Sequence, residues 1–278
     1  MKSWIFVETV CNGANGGNGM KLISSVISGP GRVRGMNQDN FYFNGKYRDY
    51  TDHNVAEYTC RFEGEYALFA VADGMGGESH GEMASYLAVH RMNEISKPAT
   101  AELLQNYLLQ RNEEICQFMK NNGNGRGGST FVGMSFYQGV ADVINIGDSR
   151  AYVFRPGRKL KQLSKDHTQI RQMVELGIVS PQEARTHPSR HKLSQHLGTE
   201  QEEMLIEPSA VRGRIAAGDL FLLCSDGLTD MLEDQEIENI LASHGAVWEK
   251  TSVLYDRAMQ AGGKDNITLL LVEAQKER

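Results

Sequence analysis

Carboxylates recur in this sequence where apolar strands run out. "YALFAVADGMGG" carries a small, apolar run into Asp73 and then into glycine. "DLFLLCSDGLTD" does the same at Asp226-Gly227, with Asp230 one helical turn further on. "VINIGDSRAY" puts Asp148 at the exit of another run, and "GGKDNITLLLV" puts Asp265 at the mouth of the last one. A single Asp-Gly pair makes a turn and implies nothing more. The repetition implies chemistry. If these strands lie side by side with their acidic ends together, like charges converge, repel and resist ionisation. A divalent cation resolves that conflict. Aspartate and backbone carbonyl oxygens suit hard ions such as Mg2+ or Mn2+, and no His/Cys spacing here argues for zinc. Gly74 lacks a Cβ, so the chain can approach an ion closely and turn its own carbonyl toward it, beside the carboxylate of Asp73.

The elements that must position these groups follow from periodicity. "YALFAVAD" reads as a strand buried on both faces. "ESHGEMASYLAVHRMNEIS" reads as a helix with Met83, Leu87, Ala88 and Met92 on one face, and "ATAELLQNYLLQRNEEICQFMK" as a longer one. "STFVGMSFY", "ADVINIG" and "RAYVFR" read as consecutive strands with short turns. Strands return with "EMLIEPSAV" and "DLFLLCSD", helices near 233 to 242 and 248 to 261, and a final strand with "DNITLLLVEA". At the start, "WIFVETV" and "MKLISSVIS" flank the Asn/Gly-rich "CNGANGGNG" and predict a hairpin. Residues 44 to 62 are polar, a loop or a ragged strand pair. Strands come in runs and helices in pairs, which predicts an α+β fold with mostly antiparallel sheets. There is no internal repeat and no linker, so 1–278 reads as one domain.

Residues 164 to 200 differ in being polar, with short helical pieces. In "SPQE", Ser180 to Glu183, the serine predicts an N-cap and the glutamate a capping box. Asp166 is the expected cap of the helix in "TQIRQMVELG", which should stop at Gly177. His167, His187, His191 and His196 lie in or beside this stretch. It reads either as a surface loop or as a flap that touches substrate.

Composition narrows the classes. A formal charge of −6 disfavours a general nucleic-acid binder. Apolar runs reach only about seven residues, far short of the roughly 20 of a membrane helix. The apolar start is broken by Glu8 and has no secretory profile, so the expected compartment is cytoplasmic. Cys11, Cys60, Cys116 and Cys224 are widely spaced and read as reduced thiols. Cys224 reads as core packing. No His/Asp set beside Ser129 or Thr130 supports a serine nucleophile.

Taken in order, "GRVRGMNQDN", "VADGMGG", "GGST", "INIGDSRAY", "LSKDHT", "LCSDGLTD" and "KDNIT" span residues 31 to 268. In order and spacing they resemble the metal-dependent protein serine/threonine phosphatases of type 2C, in their compact bacterial form. The resemblance implies a four-layer α-β-β-α sandwich, two antiparallel sheets flanked by helix pairs, with metals at one end. It implies that Asp73 bridges two Mn2+ or Mg2+ ions with Gly74 offering its carbonyl, and that Asp226 and Asp265 hold the first metal. Asp148, Asp226 and Asp230 match a third-metal position. Arg34 matches the arginine that grips phosphate, and Asp39 an aspartate that orders metal-bound water. The implied reaction is hydrolysis of phosphoserine and phosphothreonine by a water or hydroxide bridging two cations, without a phosphoenzyme. The implied partners are phosphoproteins and a cognate serine/threonine kinase, with no nucleic acid, no membrane and a monomeric state.

Two departures stand out. The family's Asn-Glu-Asp is Asn-Gln-Asp here, which removes a charge at Gln38 near the second metal. Met75 stands where some members carry histidine. The alternative to catalysis is a phosphatase-fold binding module; a two-metal nuclease is disfavoured by the acidic charge and the motif order. Residues 1–19 precede the usual family start and read as an extra edge strand or a partner surface, and 164–200 match the flap of bacterial members.

Overall fold

The structure, a computed structural model, describes residues 8–12, 20–76, 80–122, 127–184, 187–200 and 202–275. The first strands are β1 (Glu8–Asn12), β2 (Met20–Gly29), β3 (Asp39–Phe43), β4 (Ala56–Gly64) and β5 (Tyr66–Met75). Helices α1 (Gly81–Val89) and α2 (Ala101–Asn122) follow, then β6 (Gly128–Ser129), β7 (Phe131–Tyr137), β8 (Val140–Ile146), β9 (Arg150–Phe154) and β10 (Lys161–Gln162). Residues 164–200 carry α3 (Gln169–Glu175) and α4 (Pro181–Ala184). The chain ends with β11 (Ser209–Arg214), β12 (Leu220–Cys224), α5 (Asp226–Thr229), α6 (Asp234–Ala242), α7 (Val247–Gln260) and β13 (Ile267–Ala274).

Strand parity builds the layers. Side chains alternate between faces, so an uninterrupted apolar strand must be covered twice. In β5, Ala67, Phe69 and Val71 enter the core between the sheets, while Leu68, Ala70 and Ala72 pack under α1 and α2. In β12, Phe221 and Leu223 face the same central core, while Leu220, Leu222 and Cys224 pack under α6 and α7. One sheet runs β1-β4-β2-β13-β12-β9-β10 and the other β11-β8-β7-β5-β3. The result is the four-layer sandwich expected from the sequence.

Two expectations need correction. β1 and β2 form no hairpin: β4 lies between them, and β1 pairs with β4 in parallel, Glu8 opposite Thr59. A hairpin needs adjacent strands, and β4 from the polar stretch 44 to 62 takes that place with a full antiparallel register on β2. β1 therefore sits at a sheet edge; residues 1–7 and 13–19 of the expected hairpin lie outside the described residues. The strand expected from "EMLIEPSAV" begins only at Ser209. Ahead of it, Met204 N–H bonds to Glu200 and Glu207 N–H to the Gln195 side chain, so that backbone is tied to the preceding polar segment rather than to a sheet. The consecutive strands expected from "STFVGMSFY", "ADVINIG" and "RAYVFR" form with short turns: β7 and β8 are a hairpin, and β9 crosses to the other sheet and pairs with β12 and β10.

Candidate metal centre and active site

Parity also aims the site. Phe41 and Phe43 of β3 face the central core, so Asp39 two residues earlier lies on that side, and its register partner on β5 is Asp73. From the opposite sheet, the Ser225 hydroxyl at the end of β12 donates to Asp39 Oδ2 at 2.7 Å. Asp39 Oδ1 is buried and has no hydrogen-bond partner among the described residues. The rim is thus the open end of the central core, where both sheets contribute.

Glycine is used here for close approach. A Cβ on Gly74 would lie 2.0 Å from the Gly81 carbonyl oxygen and 2.6 Å from that of Gln38. A Cβ on Gly227 would lie 1.9 Å from the Asn266 carbonyl oxygen, so Asp226 reaches the mouth of β13 only because glycine follows it. The "GGST" segment holds Asp73 by its backbone. Thr130 Oγ1 accepts from Asp73 N–H at 3.0 Å, while Thr130 N–H and Ser129 Oγ donate to its carbonyl. Both residues act in structure, as their sequence context suggested.

The electrostatics join the carboxylates. Burial pushes Asp73 well above the usual carboxylate range, and the charges of Asp39, Asp226, Asp148 and Asp265 push it further. Burial also raises Asp226, with Asp148, Asp230 and Asp265 adding to it. Asp148 is raised to about 7 by burial and by Asp166. Asp39 is raised to about 6 by burial, against the Ser225 hydrogen bond. Arg34 forks onto Asp265, Nε to Oδ1 at 2.9 Å and Nη2 to Oδ2 at 2.7 Å. The sequence-picked residues Arg34, Asp39, Asp73, Asp148, Asp226, Asp230 and Asp265 therefore share one neighbourhood. An orphaned buried carboxylate oxygen amid mutually repelling hard-oxygen donors is a set that fits divalent cations.

Several contributors were not singled out beforehand. Asn266 ties the Arg34 loop down: its Nδ2 donates to the Pro30 and Met36 carbonyls, and its Oδ1 accepts from Gln38 N–H at 2.8 Å. Its position inside "KDNIT" was the available signal. The Gln38 side chain donates to Glu82 Oε2 at 3.2 Å, so a carboxylate stands beside the altered position. His191 Nε2 lies 3.5 Å and Arg190 Nη2 3.6 Å from Asp230 Oδ2, which brings the polar 164–200 segment onto the rim. One donor atom each of His191, Asp226 and Asp230 fall within 4.8 Å of one another. His167 instead clamps Gly147: its N–H donates to the Gly147 carbonyl and its Nδ1 accepts from Gly147 N–H.

Asp166 is not the helix cap. Thr168, with extended backbone, accepts from Arg171 N–H and caps α3. Asp166 is drawn off by Arg150, whose Nη2 donates to it at 2.6 Å, a charge-assisted pair stronger than a cap. The Ser180–Glu183 capping box forms as expected, with Ser180 N–H donating to Glu183 Oε2 at 2.9 Å. Cys116 and Cys224 are free thiols, and burial pushes Cys224 up to about 12. Among the described residues, no helix is long and apolar enough to cross a membrane.

A double-sheet sandwich with converging aspartates and an arginine at one end defines the class of the metal-dependent phosphatases. The family model described as protein phosphatase 2C matches residues 53–261, and the chain belongs to that family. It is 33% identical over 252 residues to the serine/threonine phosphatase stp of Listeria monocytogenes, covering 87% of this chain and 92% of that one. It superposes on the serine/threonine phosphatase PstP/Ppp of Mycobacterium tuberculosis with a TM-score of 0.76 and 29% identity, covering 92% of this chain and 100% of that one. A PstP catalytic domain in complex with two manganese ions matches with a TM-score of 0.74 and 28% identity, covering 92% of this chain and 100% of that one. Arg34, Asp39 and Asp265 lie outside the span the family model matches.

Proposed function

We propose that this serine/threonine protein phosphatase hydrolyses phosphoserine and phosphothreonine in proteins by direct attack of water on phosphorus, with no phosphoenzyme. The observation that carries this reading is the convergence of Asp39, Asp73, Asp148, Asp226 and Asp265 on one rim, each of the four raised carboxyls being pushed up by burial and by neighbouring acids. In this proposal Asp73 and the Gly74 carbonyl would help to hold two Mn2+ or Mg2+ ions, Asp226 and Asp265 would complete the first, and Asp148, Asp226 and Asp230 would hold a third. Bound there, such cations lower the pKa of water and screen the dianionic phosphate.

The chain's own residues do the rest. Arg34 is exposed on a loop that Asn266 pins, and its fork can pass from Asp265 to two phosphate oxygens. Asp39 Oδ1, otherwise unpartnered, accepts the attacking water's hydrogen and orients its lone pair. The flap, through Arg190 and His191, borders the place where a protein substrate must enter. Residues 1–278 act as one catalytic domain, monomeric and cytoplasmic, opposing a serine/threonine kinase.

The test is turnover of p-nitrophenyl phosphate and a phosphothreonine peptide in Mn2+ and then in chelator. Activity on both that chelator removes is expected; activity that survives chelator would overturn the reading. Arg34→Lys should lower kcat/KM on the peptide roughly 10- to 100-fold, as one of two charge-assisted bonds of about 1.5–3 kcal/mol is lost. Steady-state kinetics check this, and an unchanged kcat/KM would remove Arg34 from phosphate binding. Gln38→Glu would set two carboxylates together with Glu82. It should lower the melting temperature in chelator and enlarge the rise in melting temperature on adding Mn2+. Equal metal-induced shifts in variant and parent would mean that position 38 does not sense the cation.

A further inference from the structure

The molecule has a second cavity whose charge is opposite to that of the active-site cleft. The cleft beside Asp148, Asp226 and Asp230 is walled by further acids, among them Asp166, Glu233 and Asp234. The second cavity, about 360 Å3, opens between the two sheets at the edge where β9 and β10 face β8 and β11. No acidic residue lines it among the described residues.

Its floor is the central core. Ala141, Val143 and Phe221 are buried members of that core, and Val153 and Leu163 pack against them half-buried. Its walls are basic: Arg155, Arg158, Lys159, Lys161, Arg212 and Arg214. Two of these charges are compensated. Arg155 Nε lies 3.1 Å from the buried carboxylate of Asp219, and Arg212 forks onto Asp142. Arg158, Lys159, Lys161 and Arg214 have no acidic partner among the described residues.

Register shows how deep the charge reaches. Lys161 pairs with Val153, which packs on the central core, so its side chain starts from the inter-sheet face. A single inward lysine on an edge strand is a common guard against edge-to-edge pairing. Three further uncompensated cations around a hollow with an apolar floor exceed that need. They also sit on a chain whose formal charge is −6. Gly213 opposite Ala141 leaves the wall open, since a Cβ there would meet nothing within 4 Å.

We infer that this slot binds a small amphipathic anion, its apolar body between the sheets and its acid group among Lys161, Arg158 and Lys159. The volume lies at the small end of ligand pockets, and apolar floor with few convergent polar groups is their usual chemistry. Charge complementarity selects an acid over a neutral amphiphile. The inference is independent of the phosphatase chemistry at the rim. A carboxylate is the informative headgroup, because phosphate would also visit the active site.

The experiment titrates the full chain with octanoate, 1-octanol and acetate by calorimetry, and maps octanoate to the methyl groups of Val143, Val153 and Leu163 by nuclear Overhauser contacts. Octanoate should bind saturably with those contacts, and octanol and acetate at least about tenfold more weakly, since each lacks one half of the recognition. Lys161→Glu with Arg158→Glu should weaken octanoate about tenfold or more. Gly213→Phe should abolish binding by filling the slot with all cations retained. Turnover of p-nitrophenyl phosphate reports that each variant is folded. Octanol binding as well as octanoate, octanoate binding indifferent to both variants, or no saturable binding would each overturn the site. Vesicles containing phosphatidylglycerol separate a lipid surface from a free anion. Vesicle binding lost on charge reversal but kept in Gly213→Phe, with no entry of octanoate, would mean a basic surface patch and no slot ligand.

Discussion

Asp226→Asn is expected to lower turnover of both substrates by roughly three orders of magnitude in Mn2+, equivalent to about 4 kcal/mol of transition-state stabilisation. The proposal gives Asp226, like Asp73, a share in two cation positions, so its loss should weaken both. The substitution keeps the volume and removes the charge. Its effect on folding should have the opposite sign. Asp226 is raised well above the usual range by burial and by Asp148, Asp230 and Asp265, so in chelator the charged form weighs against the folded state. The asparagine variant should melt at or above the parent's temperature in chelator while losing most of the stabilisation that Mn2+ confers. Thermal melts with and without Mn2+, beside the kinetics, read both. Near-normal turnover, or a parent-sized Mn2+ shift, would remove Asp226 from the metal centre.

The second large effect is a reversed pH dependence of stability without metal. For a carboxyl raised in the folded state, the folded protein binds more protons than the unfolded chain between the two pKa values. Stability is then fully present below the unfolded value and is lost as pH rises through the folded one. For Asp39, going from 3.8 to about 6, that amounts to about 3 kcal/mol. Asp148, raised to about 7, extends the window to neutrality, and Asp73 and Asp226 act in the same direction. In chelator the protein should therefore be more stable near pH 5 than near pH 8, unlike a protein whose carboxylates are salt-bridged. Mn2+ should stabilise it far more at pH 8, where the donors are ionised, than at pH 5. Denaturant unfolding at the two pH values, each with and without Mn2+, is the measurement. A chelated protein that gains stability from pH 5 to pH 8 would show that these carboxyls do not crowd one another.

Much of this architecture is written in local pattern. Uninterrupted apolar runs such as Ala67–Ala72 and Leu220–Cys224 can only be strands covered on both sides, which already demands helices outside two sheets. Aspartate followed by glycine at strand ends marked the rim before its neighbours were known, because the residue types needed for close approach and for hard-cation binding are few. What local pattern lacks is partnership. "ADVINIG" and "RAYVFR" read as consecutive strands, but nothing local in them tells that the turn at Gly147 carries the chain from one sheet to the other. The polar stretch before Tyr66 held a strand that displaced an expected hairpin, because pairing depends on which edge is free and not on propensity.

The same division holds at the site. Sequence alone selected the acids and Arg34, since their chemistry is intrinsic to side-chain type and spacing. Only the tertiary structure could decide that Asp166 answers Arg150 rather than its own helix, that Gln38 meets Glu82, and that His191 among four flap-region histidines reaches Asp226 and Asp230. Each of those contacts joins residues distant in the chain, and a hydrogen bond or ion pair exists only where folding brings its two ends within a few ångströms.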